Sequence, residues 1–157
     1  MCLNIWGTLK KMPQGEENFN NFVEKLQKEI IDKEIQDFNE HIVNLFHNPK
    51  NWGKPVNFTI SHSYKGKKND TMDFYLTIQD DIIKSANFFT DGCGATVATG
   101  SQTTLLIEGK SLEYAESLKP EDIDLALKGL PDDHKHSLEL AVNALRTLIA
   151  KYKAKRD

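Results

Sequence analysis

The stretch 91–110 reads Asp-Gly-Cys-Gly-Ala-Thr-Val-Ala-Thr-Gly-Ser-Gln-Thr-Thr-Leu-Leu-Ile-Glu-Gly-Lys and sets the thiol of Cys93 between two glycines. An extended apolar run ending at Phe88 and Phe89 leads into it, and a helix-compatible run over 95–107 leaves it. The spacing therefore predicts that Cys93 sits on a strand-to-helix turn. Gly92 and Gly94 remove the β-carbons on either side, which lets the backbone approach a ligand closely. Orphan N–H groups and the positive end of the helix dipole favour the thiolate, the form that binds metal or attacks an electrophile. The competing expectation is a thiol packed as a small buried hydrophobe, the usual fate of a free cysteine. The other cysteine, Cys2, is expected to be a free surface thiol in an N-terminal lead.

Elements must position that thiol, and the chain upstream supplies helices and then strands. Residues 1–16 show no clear period and contain Pro13 and Gly15, which reads as a loose lead. Phe19, Phe22, Val23, Leu26 and Ile30 then recur at helical spacing. Ile31, Ile35, Phe38, Ile42, Leu45 and Phe46 continue after a phase shift near Asp32. Two packed helices or one bent one are expected, each with a core-facing stripe. His47-Asn48-Pro49-Lys50-Asn51-Trp52-Gly53-Lys54-Pro55 reads as a stop and turn. Alternation at Phe58, Ile60, His62 and Tyr64, again at Met72, Phe74, Leu76 and Ile78, and less regularly over 83–89 predicts three strands. Short links through the basic loop 65–70 and through Gln79-Asp80-Asp81 make them an antiparallel meander with one face on a core.

Downstream of Cys93 the pattern is helical. Glu108-Gly109-Lys110 ends the first helix, and Ser111 can cap a short one through Leu118. Pro120 and Gly129 bracket a compact helix, as proline at the start and glycine past the end imply. After Leu130-Pro131, Asp132 or Asp133 is the expected cap of a last helix, whose stripe is Leu138, Ala141, Val142, Leu145, Leu148, Ile149 and Tyr152. His136 falls in its first turn, off the stripe, and His134 reads as plain surface. The basic tail 153–157, with Lys153, Lys155 and Arg156, is expected to form a solvated helix end.

At 157 residues, one domain with a core of its own is the economical expectation. A net charge of -3 speaks against a nucleic-acid surface spread over the molecule. Two cysteines make no disulfide framework, and the N-terminal apolar residues are too scattered for a signal core or a membrane span. A cytoplasmic protein in a reducing compartment is expected.

The order so assembled resembles the IscU/NifU-type scaffold proteins on which iron–sulfur clusters are built. The likeness covers roughly residues 38–152 and is carried by the Asn48-Pro49-Lys50-Asn51-Trp52-Gly53 turn, by Asp70-Thr71-Met72 and by Gly92-Cys93-Gly94-Ala95. The spacing through Gly109-Lys110-Ser111-Leu112 and Leu130-Pro131 to His136 fits as well. The resemblance implies an α+β fold, a three-stranded antiparallel sheet covered by helices, here with an extra N-terminal helical segment at 17–37. It also implies a site in which Cys93 matches the family's middle cysteine, Asp70 its aspartate and His136 its histidine. Lys68 stands at the first cysteine position, Ser137 at the last, and Asn69 replaces a glycine.

These departures have chemical consequences. Clusters are usually held by cysteine thiolates with histidine as an accepted replacement, and one chain here offers one thiolate, one imidazole and one carboxylate. A lysine cation repels iron, and Ser137 cannot carry a persulfide sulfur. What the resemblance implies is a scaffold-related protein holding iron, an iron–sulfur cluster or zinc at Cys93, His136 and Asp70. A homodimer or an external thiol would complete the ligand set, and a cysteine desulfurase or another cluster-assembly protein is the implied partner. Two other readings stay open: a degenerate scaffold that acts as an interaction or regulatory partner, and, ranked lower, a thiol enzyme using Cys93 as nucleophile.

Overall fold

The computed structural model describes residues 14–156, so Cys2 and most of the expected lead lie outside the described residues. The chain divides after Asp37 into two units. The first contains helix α1, Gln14–Asp37, which begins inside the expected lead. Helical spacing is borne out there, but the core-facing stripe is not: Phe19 is 63% exposed and Phe22 62%, and Leu26, Ile30, Ile31 and Ile35 are exposed with them. A 3.6-residue period marks one apolar face and carries no information on what covers that face. The phase shift near Asp32 does not break the helix either. The interruption comes at Asn39, whose extended backbone (φ -87°, ψ 166°) and side-chain oxygen, accepting the Ile42 N–H at 2.9 Å, start a new helix.

The second unit begins with that helix, α2, Glu40–His47, which buries Ile42, Val43 and Leu45. Three antiparallel strands follow in the order β1-β2-β3: β1 Ile60–Lys65, β2 Thr71–Gln79 and β3 Ile82–Thr90. The expected meander is present, although β1 starts two residues beyond Phe58. Asp80 and Asp81 take φ of 54° and 60°, the left-handed pair of a tight hairpin turn whose twist matches the strands. Asn69 takes φ 65° in the other hairpin, a conformation that asparagine tolerates better than most residues and that suits the position where the resembled family has glycine.

Met72, Phe74, Leu76 and Ile78 of β2 point to one face with Ile83, Ala86 and Phe88 of β3, and all are buried. Phe74 and Phe88 are fully buried, each contributing about 1.5–3 kcal/mol by removal from water. Helix α3, Gly94–Ile107, and helix α6, His136–Arg156, cover that face. Helices α4, Leu112–Ser117, and α5, Pro120–Ala126, lie between them in sequence, with Ser111 accepting the Tyr114 N–H as the cap expected of it. Instead of capping α6 directly, Asp132 and Asp133 enter a 3-10 turn, Asp132–His134. The stripe of α6 is buried as its period predicts. Its basic end is not merely solvated: Lys153 pairs with Glu116 at 2.5 Å and Arg156 with Asp81.

Helix α3 is unusual in being buried nearly all round while carrying few large side chains. Ala95, Thr96, Ala98, Thr99, Gly100, Ser101, Thr103 and Thr104 are all buried. Small residues let the helix sit close to the sheet, and a β-carbon on Gly100 would stand 2.4 Å from the Phe88 ring. The hydroxyls must then find partners inside. Thr99 donates to the Ala95 carbonyl at 2.8 Å and Thr103 to Thr99 at 2.7 Å.

Candidate functional site

Strand β3 ends at Thr90 and α3 begins at Gly94, so Cys93 occupies the N-cap, with extended backbone at φ -71° and ψ 178°. The thiol is exposed, which answers the choice between a buried and an offered sulfur. Its Sγ lies 3.6 Å from Thr96 Oγ1, one turn into the helix. Thr96 Oγ1 in turn lies 3.0 Å from the hydroxyl of Ser137. The turn itself is braced across the sheet end. Asp91 Oδ1 accepts the Thr71 N–H at 2.7 Å, and Thr90 Oγ1 donates to the Thr71 carbonyl at 2.5 Å while accepting the Gly92 N–H at 3.1 Å. The Thr71 N–H is the main reason the Asp91 carboxyl titrates below its ordinary value.

Asp70 precedes β2 at the same end of the sheet, where the hairpin closes through Gly66 N–H to the Asp70 carbonyl at 2.8 Å. Its Oδ2 lies 3.6 Å from His136 Nε2, so these two predicted residues do meet. Both side chains are largely shielded, 13% exposed for Asp70 and 27% for His136. Nδ1 of His136 is buried without a partner. The pair lines a cavity of ≈ 140 Å³ together with Tyr64, Lys67, Lys68 and Glu139. Lys68 itself is exposed, and Ser137 is fully buried against Thr96.

Among the described residues, no three His, Cys, Asp or Glu side chains come together as a group able to hold a metal ion. The site is two pairs, Asp70 with His136 and Cys93 with a histidine that sequence reasoning left on the surface. That histidine is His134. The turn after Pro131 folds it back so that Nδ1 lies 4.0 Å from Cys93 Sγ and its ring rests 5.1 Å from that of Phe38. Its Nε2 lies 3.7 Å from Asp133 Oδ2. The sequence signal that bears on it is Leu130-Pro131, a chain break that makes the next residues a turn; nothing local says which way the turn faces.

The loop 48–55, which carries part of the resemblance, is held against α3. Ser101 Oγ accepts the Lys50 N–H at 2.7 Å and donates to the Lys50 carbonyl at 3.1 Å. Asn51, at φ 60°, donates from Nδ2 to Thr104 Oγ1 at 3.1 Å. Trp52 stands edge-on to Phe88, with ring centroids 5.3 Å apart.

The NifU-like N terminal domain family matches residues 37–157. Over 125 residues the chain is 34% identical to the iron-sulfur cluster assembly scaffold protein IscU of Escherichia coli K12, covering 76% of this chain and 97% of that protein. Over 143 residues it is 33% identical to iron sulfur cluster assembly protein 1 of Trachipleistophora hominis, covering 87% and 95% of the two chains. Among solved structures, the N-terminal part of a NifU-like protein from Brucella abortus superposes with a TM-score of 0.62 at 17% identity, covering 77% of this chain and 97% of that one. At that identity the likeness is one of fold: a three-stranded antiparallel sheet with helices. No helix among the described residues is long and apolar enough to cross a membrane.

Proposed function

The chain belongs to the NifU-like N-terminal domain family of IscU/NifU-type scaffolds, and from that premise we propose that it serves iron–sulfur cluster assembly by holding iron or a cluster at Cys93. The carrying observation is the thiol itself, exposed at the N-terminus of a 14-residue helix with an imidazole 4.0 Å away. A sulfur offered to solvent beside a nitrogen donor is what a metal ion would need to reach it. Asp70 and His136, a separate pair at the same end of the sheet, are the further ligands proposed from this chain. Zinc, which accepts sulfur, nitrogen and oxygen ligands, is the alternative occupant.

Such a protein is a carrier and performs no catalytic step of its own. With Lys68 and Ser137 at two family cysteine positions, sulfur must reach the site from a partner, of which a cysteine desulfurase is the chemically natural class. The remaining thiolates come from a second copy or an external thiol. A second reading, a scaffold that retains the fold and acts as an interaction or regulatory partner, is favoured by one observation. The Ser137 hydroxyl is buried and engaged with Thr96, while the Lys68 side chain is solvated, so neither position presents a ligand.

Anaerobic reconstitution with iron and sulfide separates the readings. Visible absorption with bound inorganic sulfide in the wild type, lost in Cys93→Ala, supports the carrier. No bound iron in either protein would sink it and leave the interaction partner in front.

A further inference from the structure

The two edges of the sheet differ in how their backbone is satisfied. On β3 the outward groups are occupied. Phe88 donates to the Asn51 carbonyl at 3.0 Å and accepts from the Gly53 N–H at 2.7 Å, while Ile83 donates to the Lys110 carbonyl at 2.8 Å and accepts from the Gly109 N–H at 2.7 Å. Between them the Ala86 N–H meets Glu108 Oε1 at 3.4 Å. On β1 the alternation is set at the hairpin, where Gly66 donates to the Asp70 carbonyl, so Tyr64, His62 and Ile60 bond inward to Met72, Phe74 and Leu76. Ser61, Ser63 and Lys65 therefore turn their N–H and C=O groups outward. All three residues are exposed, and among the described residues no backbone bond reaches that side of the strand. An unpaired edge of this kind is a template for another strand.

The charges around β1 select the strand it fits. Residues 60–69 carry Lys65, Lys67 and Lys68 and no acid. From α6, Lys151 Nζ donates to His62 Nδ1 at 2.9 Å, which adds a fourth cation beside the strand. Between the end of β1 and α6 lies the cavity of ≈ 140 Å³, with Tyr64 and Leu140 among its walls and Lys67 and Lys68 beside them. Of the acids on that cavity, Asp70 faces His136, which leaves Glu139 against two lysines. A second copy of β1 would bring more lysines and no carboxylate, and a short strand ending in lysine is a usual guard against self-pairing.

We propose that β1 is a docking edge for an extended acidic segment of a partner protein, which joins the sheet as a fourth strand. Main-chain hydrogen bonds to residues 61, 63 and 65 hold the segment, and its alternate side chains face α6 and the cavity. The lysines select carboxylates at those positions. This docking edge goes beyond the carrier function and does not depend on what Cys93 holds.

The test adds a hexapeptide of alternating valine and glutamate to the isotope-labelled full-length protein, with the valine–lysine counterpart as control, and follows amide exchange by NMR. Exchange should slow at Ser61, Ser63 and Lys65 with the acidic peptide and stay unchanged along β3, and binding should weaken as salt rises. Ser63→Pro removes one outward N–H at an edge position where proline is tolerated, and should weaken binding about 10-fold. Thermal unfolding checks that this variant is folded, and the exchange pattern of the wild type stands without it. Lys67→Glu combined with Lys68→Glu should reverse the preference toward the lysine peptide. No slowing at the three amides with millimolar acidic peptide would overturn the proposal. So would equal binding of the two peptides, or undiminished binding by folded Ser63→Pro. Protection of the same amides without peptide, rising with protein concentration, would give the edge to a second copy and overturn the acidic partner. None of these results bears on iron and sulfide uptake at Cys93, so the docking edge and the carrier function fail separately.

Discussion

Around Cys93 the missing side chains have a steric cause as well as a conformational one. A β-carbon on Gly92 would lie 2.7 Å from Thr96 Cβ and 2.8 Å from Thr96 Oγ1, the atom that stands between Cys93 and Ser137. Gly92→Ala should therefore displace Thr96 and cost about 1–3 kcal/mol, the usual range for overpacking a fitted site. Urea unfolding reads the loss, and a changed alkylation rate of Cys93 would show that the disturbance reaches the thiol. Asp91 sets a pH dependence. Its carboxyl is held below its ordinary value chiefly by the Thr71 N–H. A depressed folded-state value means that the contribution is fully present above the unfolded value near 3.8 and is lost as pH falls through the folded one. Unfolding midpoints collected across acid pH should fall less steeply for Asp91→Asn than for the wild type. Equal slopes would show that the Thr71 contact carries no pH-dependent stability.

Helix α3 couples the thiol to the rest of the fold, because one helix carries the Cys93 cap at its start and grips loop 48–55 at its middle. Ser101 is fully buried and makes both a donated and an accepted hydrogen bond to the Lys50 backbone. Ser101→Ala leaves two backbone groups without partners, a loss of about 1–3 kcal/mol for a buried site. Thermal unfolding should register it, with proteolysis near Lys50 accelerated relative to the wild type. No change in either would mean that the loop is held by Asn51 and Trp52 instead. In α3 buried positions fall on most sides, with Leu105 exposed, so its sequence carries no clean apolar stripe of the kind seen in α6. In β2 the opposite holds. One wet face and one dry face produce strict alternation, and Met72, Phe74, Leu76 and Ile78 were legible as a strand and are buried together.

At the scale of the whole molecule, the buried hydrophobic core of the described residues is drawn from 42–149. None of those side chains belongs to α1. Removing residues 1–37 should leave a chain that still unfolds cooperatively, because the second unit carries a buried core within residues 42–149. Calorimetry of the two proteins checks it, and a loss of cooperativity would show that α1 contributes to the core. Exposure along α1 also explains why its role was not legible. An amphipathic stripe from Phe19 to Ile35 is written the same way whether its cover is the same chain or another molecule.

Local patterns were enough to specify element types and their order, because periodicity, proline, glycine and caps act over a few residues. They were also enough to place Cys93 at a strand-to-helix turn and Asp70 at the start of a strand, and the ordered motifs pointed to the family. Choosing between two histidines two positions apart was beyond them. His134 and Cys93 are separated by 41 residues, and the contact exists only because the Pro131 turn packs back over the start of α3. His136, on the next helix, is carried instead to Asp70, 66 positions earlier in the chain. Side-chain direction at such a turn follows from how α3, α6 and the sheet end pack together, and that packing is a sum over contacts between residues far apart in sequence.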